Sequence, residues 1–386
     1  MNILVIGAGP VGATFALLAK YQGLDVALLE AREGPSRESR NLALSHGSRE
    51  IFDQAGVQFS ALAATEIHRI HTSHQGGFGR AVISREDGGV PALGYVANYA
   101  NLQAALDSAL DTAQIEVMRG AVVSQVSAES ATIEYQQGGE AHTRAADVLV
   151  FADGGANLDK LPAITTEEKD YAEVALLAHI ATDRPHQHIA YERFTPSGPA
   201  ALLPMASPAD AVKPGHHYSM VWVAKAAEIE ALKALDDHAF CQAFQAHFGS
   251  RAGTFVAVSA RRSYPLRLRT VTAPVAGHAV VIGNAAQELH PVAGQGFNLG
   301  LRDARDLAAS LSKVSVQSTA QRLAAYASLR SRDVSRSVGF TDFLVSAFAS
   351  DSPLARVPRG LGLAALDLLP GARRALARRM LFGAPR

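Results

Sequence analysis

A short apolar strand that runs straight into three spaced glycines and an apolar helix constrains this chain more than any other feature. Asn2-Ile-Leu-Val-Ile6 leads into Gly7-Ala-Gly9-Pro-Val-Gly12, and the next strand, Asp25-Val-Ala-Leu-Leu-Glu30, closes on an acid. Strand, glycine turn, helix and strand make the opening unit of a dinucleotide-binding sheet. Gly7 permits the tight turn, Gly9 lets backbone approach a pyrophosphate, and Gly12 lets the helix pack close to the sheet. The helix start turns unpaired N–H groups and its positive dipole end toward phosphates. Glu30 is placed to accept hydrogen bonds from ribose hydroxyls and would repel a 2′-phosphate. Glycine-rich turns are also ordinary punctuation, so the flanking elements give the motif its meaning.

Far downstream a second glycine signature follows the apolar strand His278–Ile282. It reads Gly283-Asn284-Ala-Ala-Gln287-Glu-Leu-His290-Pro291-Val-Ala-Gly294-Gln295-Gly296-Phe-Asn298-Leu-Gly300 and leads into a helix expected from about Leu299 to Ser312. Asn284 can hydrogen-bond a ribitol or phosphate oxygen. His290-Pro291 makes a rigid turn able to lie against a flat cofactor. Gly294 to Gly296 exposes successive backbone N–H groups at a helix start, suited to the electron-rich edge of a reduced isoalloxazine. The structural alternative is a glycine loop that caps the helix, with His290 packed or on the surface. A third piece lies between, where the apolar strand Asp147–Ala152 stops at Asp153-Gly154. There a carboxylate can reach nucleotide hydroxyls; taken alone, the dipeptide is a turn. The two glycine signatures together point to a flavin.

Composition excludes more than it identifies. The length of 386 residues suits two or three domains. Lysine plus arginine equals aspartate plus glutamate at 36 each, which argues against a nucleic-acid partner. The single cysteine, Cys241, excludes an internal disulfide framework and thiolate-held clusters, and no metal site is expected. A reducing cytoplasm fits. The N-terminal apolar stretch lacks a basic flank and is broken by Gly7, Gly9 and Pro10, so it reads as a strand rather than a signal peptide. No run reaches the roughly 20 apolar residues that span a bilayer.

The expected fold class is α/β: a Rossmann-like nucleotide domain interleaved with a β-sheet substrate domain, and C-terminal helices. The nucleotide domain is expected from residues 1–66, 97–160 and 271–350, the substrate domain from 67–96 and 161–270, and a helical basic segment from 351–386. Residues 1–66 read strand, helix, strand, loop, helix. Short strands are expected at 66–72, 80–84 and 93–96, a helix at 102–112, and strands at 114–119, 121–128 and 131–135. Alternation from Tyr171 to Arg269 predicts an antiparallel sheet with one helix near Ala226–Phe248.

At these residues the chain resembles a flavoprotein aromatic monooxygenase of the p-hydroxybenzoate hydroxylase class. It is most similar to the 2-polyprenyl-6-methoxyphenol hydroxylases of ubiquinone biosynthesis. The resemblance runs through Gly283–Gly300 and the following Leu-Arg-Asp303, with Gly283-Asn284 as in the ubiquinone subgroup. It continues in Tyr191-Glu-Arg-Phe194-Thr-Pro-Ser-Gly198-Pro199, Leu203-Pro204-Met205, Ser263-Tyr264-Pro265-Leu266 and Gly339-Phe-Thr341-Asp342. Nearly the whole chain is covered, least well across Ile67–Ala92 and after Ser350. Where relatives follow Asp153-Gly154 with serine and later arginine, this chain has Asn157 and Lys160.

The resemblance implies FAD, with Gly7, Gly9, Gly12 and Glu30 on its ADP half and Asp153-Gly154 nearby. It places Arg40, Gln103 and Asn284 at the flavin, and Pro291, Gly294, Gln295, Gly296 and Asn298 along the isoalloxazine. Read without it, Arg40 is one more solvated arginine. The implied activity is hydroxylation of a polyprenylated phenol with O₂ through a flavin C4a-hydroperoxide, NADPH or NADH binding transiently as reductant. His290 and Pro291 are the flavin-face catalytic candidates, with packing an equal reading for His290. The alternatives are a hydroxylase of a small soluble phenol, a prenyl-chain reductase, and a non-catalytic FAD-binding subunit of a biosynthetic complex.

The tail turns basic. From Asp351 onward there are seven arginines, at 356, 359, 373, 374, 378, 379 and 386, against Asp351 and Asp367. The pairs 373/374 and 378/379 can share a helix face opposite Leu376 and Met380. One reading is a helix docked on the nucleotide domain with its basic side solvated. The other is a peripheral contact, through 351–386, with the inner membrane or a biosynthetic complex, for a cytoplasmic enzyme.

Overall fold

Parallel pairing brings the separated sequence signatures to one end of a single sheet. The computed structural model describes residues 1–36, 38–207, 215–289, 294–312, 317–349 and 353–383, with the backbone alone for 340–349 and 353–356. From one edge, the six strands are Val275–Ala276, Ala279–Val281, Val148–Phe151, Asn2–Ile6, Asp25–Glu30 and Glu116–Arg119. All run parallel except the first, which forms an antiparallel edge. Ile6 lies opposite Leu29 and Phe151, and Phe151 opposite Val281. Gly7, Glu30, Asp153 and Gly283 therefore sit together at the carboxyl ends, where open α/β sheets bind ligands.

The four inner strands are almost continuously apolar because both faces are covered. Ile3, Val5, Leu28, Val148, Val150 and Val280 face the helices Pro10–Tyr21, Tyr99–Thr112 and Gln295–Leu311, meeting Phe15, Leu106 and Leu307. The alternate residues Leu4, Ile6, Leu29, Leu149, Phe151 and Val281 meet Val123, Ile133 and Tyr135. Those three belong to a small antiparallel sheet of Val122–Ser127, Thr132–Gln137 and Glu140–Ala145. Its last strand was not expected. Glu-Ala-His-Thr-Arg-Ala shows no apolar alternation, and none of its residues is buried. The signal was the two-residue turn Gly138-Gly139, both at positive φ, which a tight hairpin requires.

The second large sheet runs Gln287–Glu288, Arg262–Val271, Thr166–Thr182, His217–Lys225, Ala200–Pro204, Ile189–Phe194, Arg69–His74 and Arg80–Ser84. Phe255–Val258 also pairs with Thr166–Thr182. Strands from 69–84 and from 166–271 thus share one sheet. Trp222, Met220, Leu176 and Ile180 bury one face against Phe240, Phe244 and Phe248. The single helix expected there is two, Ala226–Ala234 and Asp237–Phe248. Leu235 leaves the helix in extended conformation, and the Asp236 carboxylate caps the second helix by accepting from Ala239 N at 2.7 Å.

Two further boundaries differ from expectation. Part of the loop expected after Glu30 is a strand, Asn41–Ser45, paired with Gly94–Asn98, which in turn pairs with Thr65–Ile67. The helix expected from Leu299 begins at Gln295, so Gln295 and Gly296 lie in its first turn and Gly294 caps it at φ 59°. The chain ends in helices Thr319–Ala349, Pro353–Leu368 and Pro370–Phe382. The last buries Ala377 and Leu381 against Ile83 and Leu93. It docks on the 80–93 hairpin region and also on helix His46–Gln54, where Leu381 and Phe382 lie against Gly47, and it ends beside Arg302 of helix Gln295–Leu311.

Candidate active site

The carboxyl ends of the parallel strands open into a cleft of about 620 Å³. Its walls include Gly7, Gly9, Pro10, Glu30, Arg32, Arg40, Tyr99, Asp153, Gly154, Asn157, Lys160, Asn284 and Phe297. The three glycines behave differently. Gly7 has φ +99°, and a Cβ there would lie 2.8 Å from Asp153 Cα. A Cβ on Gly12 would collide with the Gly7 carbonyl oxygen. Gly9 is not crowded: its Cβ would meet only Tyr99 Oη, at 3.9 Å. The protein's own packing requires glycine at 7 and 12. At Gly9 a side chain would instead fill the cleft, as expected if something flat and large passes close to the backbone.

Glu30 is buried at the cleft wall. One carboxylate oxygen accepts from Ala8 N at 2.8 Å and the other from Arg32 N and Nε, each at 2.9 Å. Burial pushes its pKa up, and the Arg32 and Ala8 hydrogen bonds more than offset this, holding it below the ordinary glutamate value. The ionised carboxylate keeps acceptor capacity on the oxygen bound to Ala8. Gln103 reaches the cleft only through Ala8, donating to its carbonyl at 2.9 Å and to Asp107 at 2.9 Å, and its own carbonyl oxygen is buried without a partner. Asp153 accepts from Gly155 N at 3.0 Å and Asn157 Nδ2 at 2.7 Å, so Asn157 fixes the Asp-Gly turn.

The second signature meets the first through glycine as well. Cβ atoms on Gly283 and Gly300 would each press on Val11 of the first helix, at 3.1 and 3.0 Å. Asn298 makes four hydrogen bonds inside the protein. It accepts from Ser45 N at 2.8 Å and Ser48 Oγ at 2.7 Å, and donates to Ala43 O at 3.0 Å and Gly294 O at 2.7 Å. Its side chain therefore ties strand Asn41–Ser45 to the helix start instead of facing the cleft. Arg40 is exposed, stacks 5.3 Å over the Tyr99 ring, and borders both the cleft and a neighbouring cavity. A Cβ on Gly296 would meet only Leu289 Cβ, at an ordinary 3.8 Å. His290 and Pro291 lie outside the described residues.

Sequence reasoning missed three contributors. Arg269 Nη2 donates to the carbonyls of Gly154, at 2.8 Å, and Asn284, at 3.0 Å, and so clamps two of the signatures together. Asp303 accepts from Gly283 N at 3.0 Å and from the Gln287 side chain. His179 lines a cavity of about 240 Å³ with Arg40, Asn41, Leu203 and Arg262. Its Nε2 lies 3.3 Å from Asn41 Nδ2, and burial, with His217 and Arg262 nearby, pushes its pKa down. Arg269 was marked only as one of the arginines in a strand pattern and His179 as a lone histidine in an alternating strand, while Asp303 was visible in the Leu-Arg-Asp303 end of the second signature without a role.

Beyond Leu203 and Val221, which it shares with that cavity, lies an apolar pocket of about 120 Å³. Ile67, Ile70, Ala190, Leu203 and Val221 form its sheet side, and Gly294 and Met380 border it opposite. Tyr191 borders the pocket from the strand, but its ring turns to the other face of the sheet and packs on Tyr218 and Phe248. A volume near that which holds benzene, roughly 150 Å³, suits one aromatic ring.

A glycine cradle, an acid at the second strand, and a helix start facing an apolar pocket define a flavoprotein of the dinucleotide-binding type. The chain belongs to the FAD binding domain family, whose model matches residues 1–341. Among curated proteins it is 29% identical to an uncharacterised Synechocystis protein, covering 99% of this chain and 93% of that one. It is 27% identical to 3-demethoxyubiquinol 3-hydroxylase of Escherichia coli, covering 95% and 94%. The ubiquinone hydroxylase UbiL of Rhodospirillum rubrum is 26% identical, over 95% and 86%. Among solved structures, p-nitrophenol 4-monooxygenase of Pseudomonas putida superposes with a TM-score of 0.80 at 17% identity, over 100% and 98%. The Diels-Alderase PyrE3 gives 0.74 at 22%, over 100% and 80%, so the fold by itself does not specify the reaction.

Proposed function

We propose that this protein is an FAD-dependent, NAD(P)H-consuming monooxygenase that hydroxylates a polyprenylated phenol in ubiquinone biosynthesis. The observation that carries the reading is the continuity of the cleft with a ring-sized apolar pocket through Arg40, Leu203 and Val221. The names of the curated relatives support the substrate class. Bound FAD would supply the activation of O₂ with electrons from the nicotinamide.

The chain's own residues bind, orient and exclude water. Gly7, Gly9, Gly12, Glu30, Asp153 and Gly154 are assigned to the ADP half, with Lys160 available to phosphate charge. Arg40, Asn284 and Gly294 to Gly296 are assigned to the flavin end, where the helix-start N–H groups favour developing negative charge. Gln103 and Asn298 act through the backbone they hold. The walls of the ring pocket offer no charged group except Glu192, so they keep water from the reacting centre. Segments 1–66, 97–160 and 271–350 would hold cofactor and 67–96 with 161–270 would hold substrate.

Among the described residues no helix is long and apolar enough to cross a membrane. We assign the protein to the cytoplasmic side of the inner membrane, in peripheral contact through its C-terminal helices. Val357, Leu361 and Leu368 form one exposed stripe of helix Pro353–Leu368, while Gly360 and Leu363 on its other side are buried. A helix apolar on both sides needs a second partner.

The deciding experiment denatures the purified protein and identifies the released flavin. It then measures NAD(P)H oxidation with and without a prenylated 2-methoxyphenol and analyses the product by mass spectrometry. The proposal requires phenol-stimulated oxidation and a product heavier by one oxygen. A saturated tail, or oxidation indifferent to the phenol, would sink it.

A further inference from the structure

The ring pocket does not end at Met380. A second apolar cavity, of about 70 Å³, shares Ala43, Ile67, Ile70, Gly294 and Met380 with it and continues to Ile83, Leu93 and Ala377. One wall is the strand side that carries Ile67 and Ile70; the roof is the C-terminal helix Pro370–Phe382. The passage thus starts at Gly294, the cap of the helix facing the cleft, and runs beneath the last helix of the chain.

That helix is anchored near its start by Arg373 and along the passage by Ala377 and Leu381. Arg373 Nε donates to Asp87 at 3.1 Å, and Ala377 and Leu381 pack on Ile83 and Leu93. Between them Met380 touches both cavities and is only partly buried. Methionine, unbranched with three rotatable side-chain bonds, adapts to an elongated apolar guest at low cost. A rigid ring needs no such neighbour; a flexible hydrocarbon attached to the ring does.

We propose that this passage seats the isoprenoid tail of the substrate, and that Met380 on the C-terminal helix determines which tails are accepted. The inference deepens the proposed function and rests on its phenol being prenylated. The ring would occupy the first pocket. The first isoprene unit would pass between Ile70 and Met380, and the tail would leave beneath the last helix. The remaining volume is too small for a long tail, so longer chains must displace Met380 or extend beyond it.

The test separates the passage from the chemistry by using geraniol, an isoprenoid alcohol with no ring to hydroxylate. Calorimetric titration of the FAD-loaded wild-type protein should show binding, and Met380→Trp, which fills the passage, should weaken it by roughly tenfold or more. Ile70→Phe narrows the opposite wall and should act in the same direction, which keeps the test readable if the tryptophan variant does not fold. In turnover, the ratio of kcat/KM for a geranylated phenol to that for the tail-free phenol should fall in both variants. Geraniol binding that is absent in wild type, or equal in wild type and a folded variant, would overturn the proposal. Met380-dependent binding in a protein that hydroxylates no phenol would leave the passage standing and remove the proposed reaction.

Discussion

A β-carbon added at Gly7 would lie 2.8 Å from Asp153 Cα, whereas one at Gly9 would find nothing nearer than Tyr99 Oη at 3.9 Å. The same residue type therefore serves the fold at one position and the ligand at another. Gly9→Val is expected to fold, with an apoprotein melting temperature within a few degrees of wild type, yet to bind FAD at least roughly tenfold more weakly, about 1.4 kcal/mol. Gly12→Val is expected to yield little soluble protein, because its side chain meets the Gly7 carbonyl in the packed fold. Stoichiometric FAD in Gly9→Val would mean that the cleft binds something else. The motif announces all three glycines equally; only their surroundings separate these roles.

At the level of elements, helix Thr319–Ala349 is joined to helix Gln295–Leu311 by a buried ion cluster. Arg330 contacts Asp303 at 2.6 Å, Asp306 at 3.3 Å and Asp333 at 2.6 Å, and Arg302 meets Asp333 at 3.0 Å. Burial opposes the charge on Arg330, and the surrounding carboxylates outweigh it and raise its pKa. Removing one member strands the others. Arg330→Leu is expected to cost about 3–5 kcal/mol in urea denaturation. Because Asp303 also holds Gly283 N and Gln287, the same change should alter the absorbance of bound flavin. A loss below about 1 kcal/mol, with an unchanged spectrum, would show that the cluster does not support the site.

Over the whole molecule, the terminal helices place a basic surface and an exposed apolar stripe next to each other. Leu368 is 77% exposed and Leu361 57%, on a helix whose inner side is held by the Asp367 carboxylate accepting from Val82 N at 3.1 Å. The arginine pairs are not equivalent, since Arg373 turns inward to Asp87 while Arg374 and Arg378 remain exposed. Leu361→Glu with Leu368→Glu should leave folding intact, both sites being exposed, and abolish co-flotation with anionic liposomes at low salt. Undiminished flotation of the double variant, or none by the wild type, would remove the membrane contact and leave the flavin site untouched.

The sequence by itself determined the nucleotide sheet and its ligand edge. Strand, turn and helix are local in Asn2–Glu30, and the Gly283–Gly300 pattern is dense enough to read without knowing what surrounds it. Apolar runs of about four to six residues identified the inner parallel strands, because a strand buried on both faces leaves a continuous signal. A polar strand leaves none, which is why Glu140–Ala145 was invisible except through Gly138-Gly139, while the apolar run in Asn41–Ser45, only three residues long, read as loop. Tertiary structure alone decided that Asn298 and Gln103 hold backbone, that Arg269 clamps Gly154 to Asn284, and that Met380 roofs a passage beginning at Gly294. Each of these depends on residues far apart in sequence meeting within a few ångströms. Spacing along a chain carries local geometry, whereas such contacts exist only once both sheets and the last helix have packed.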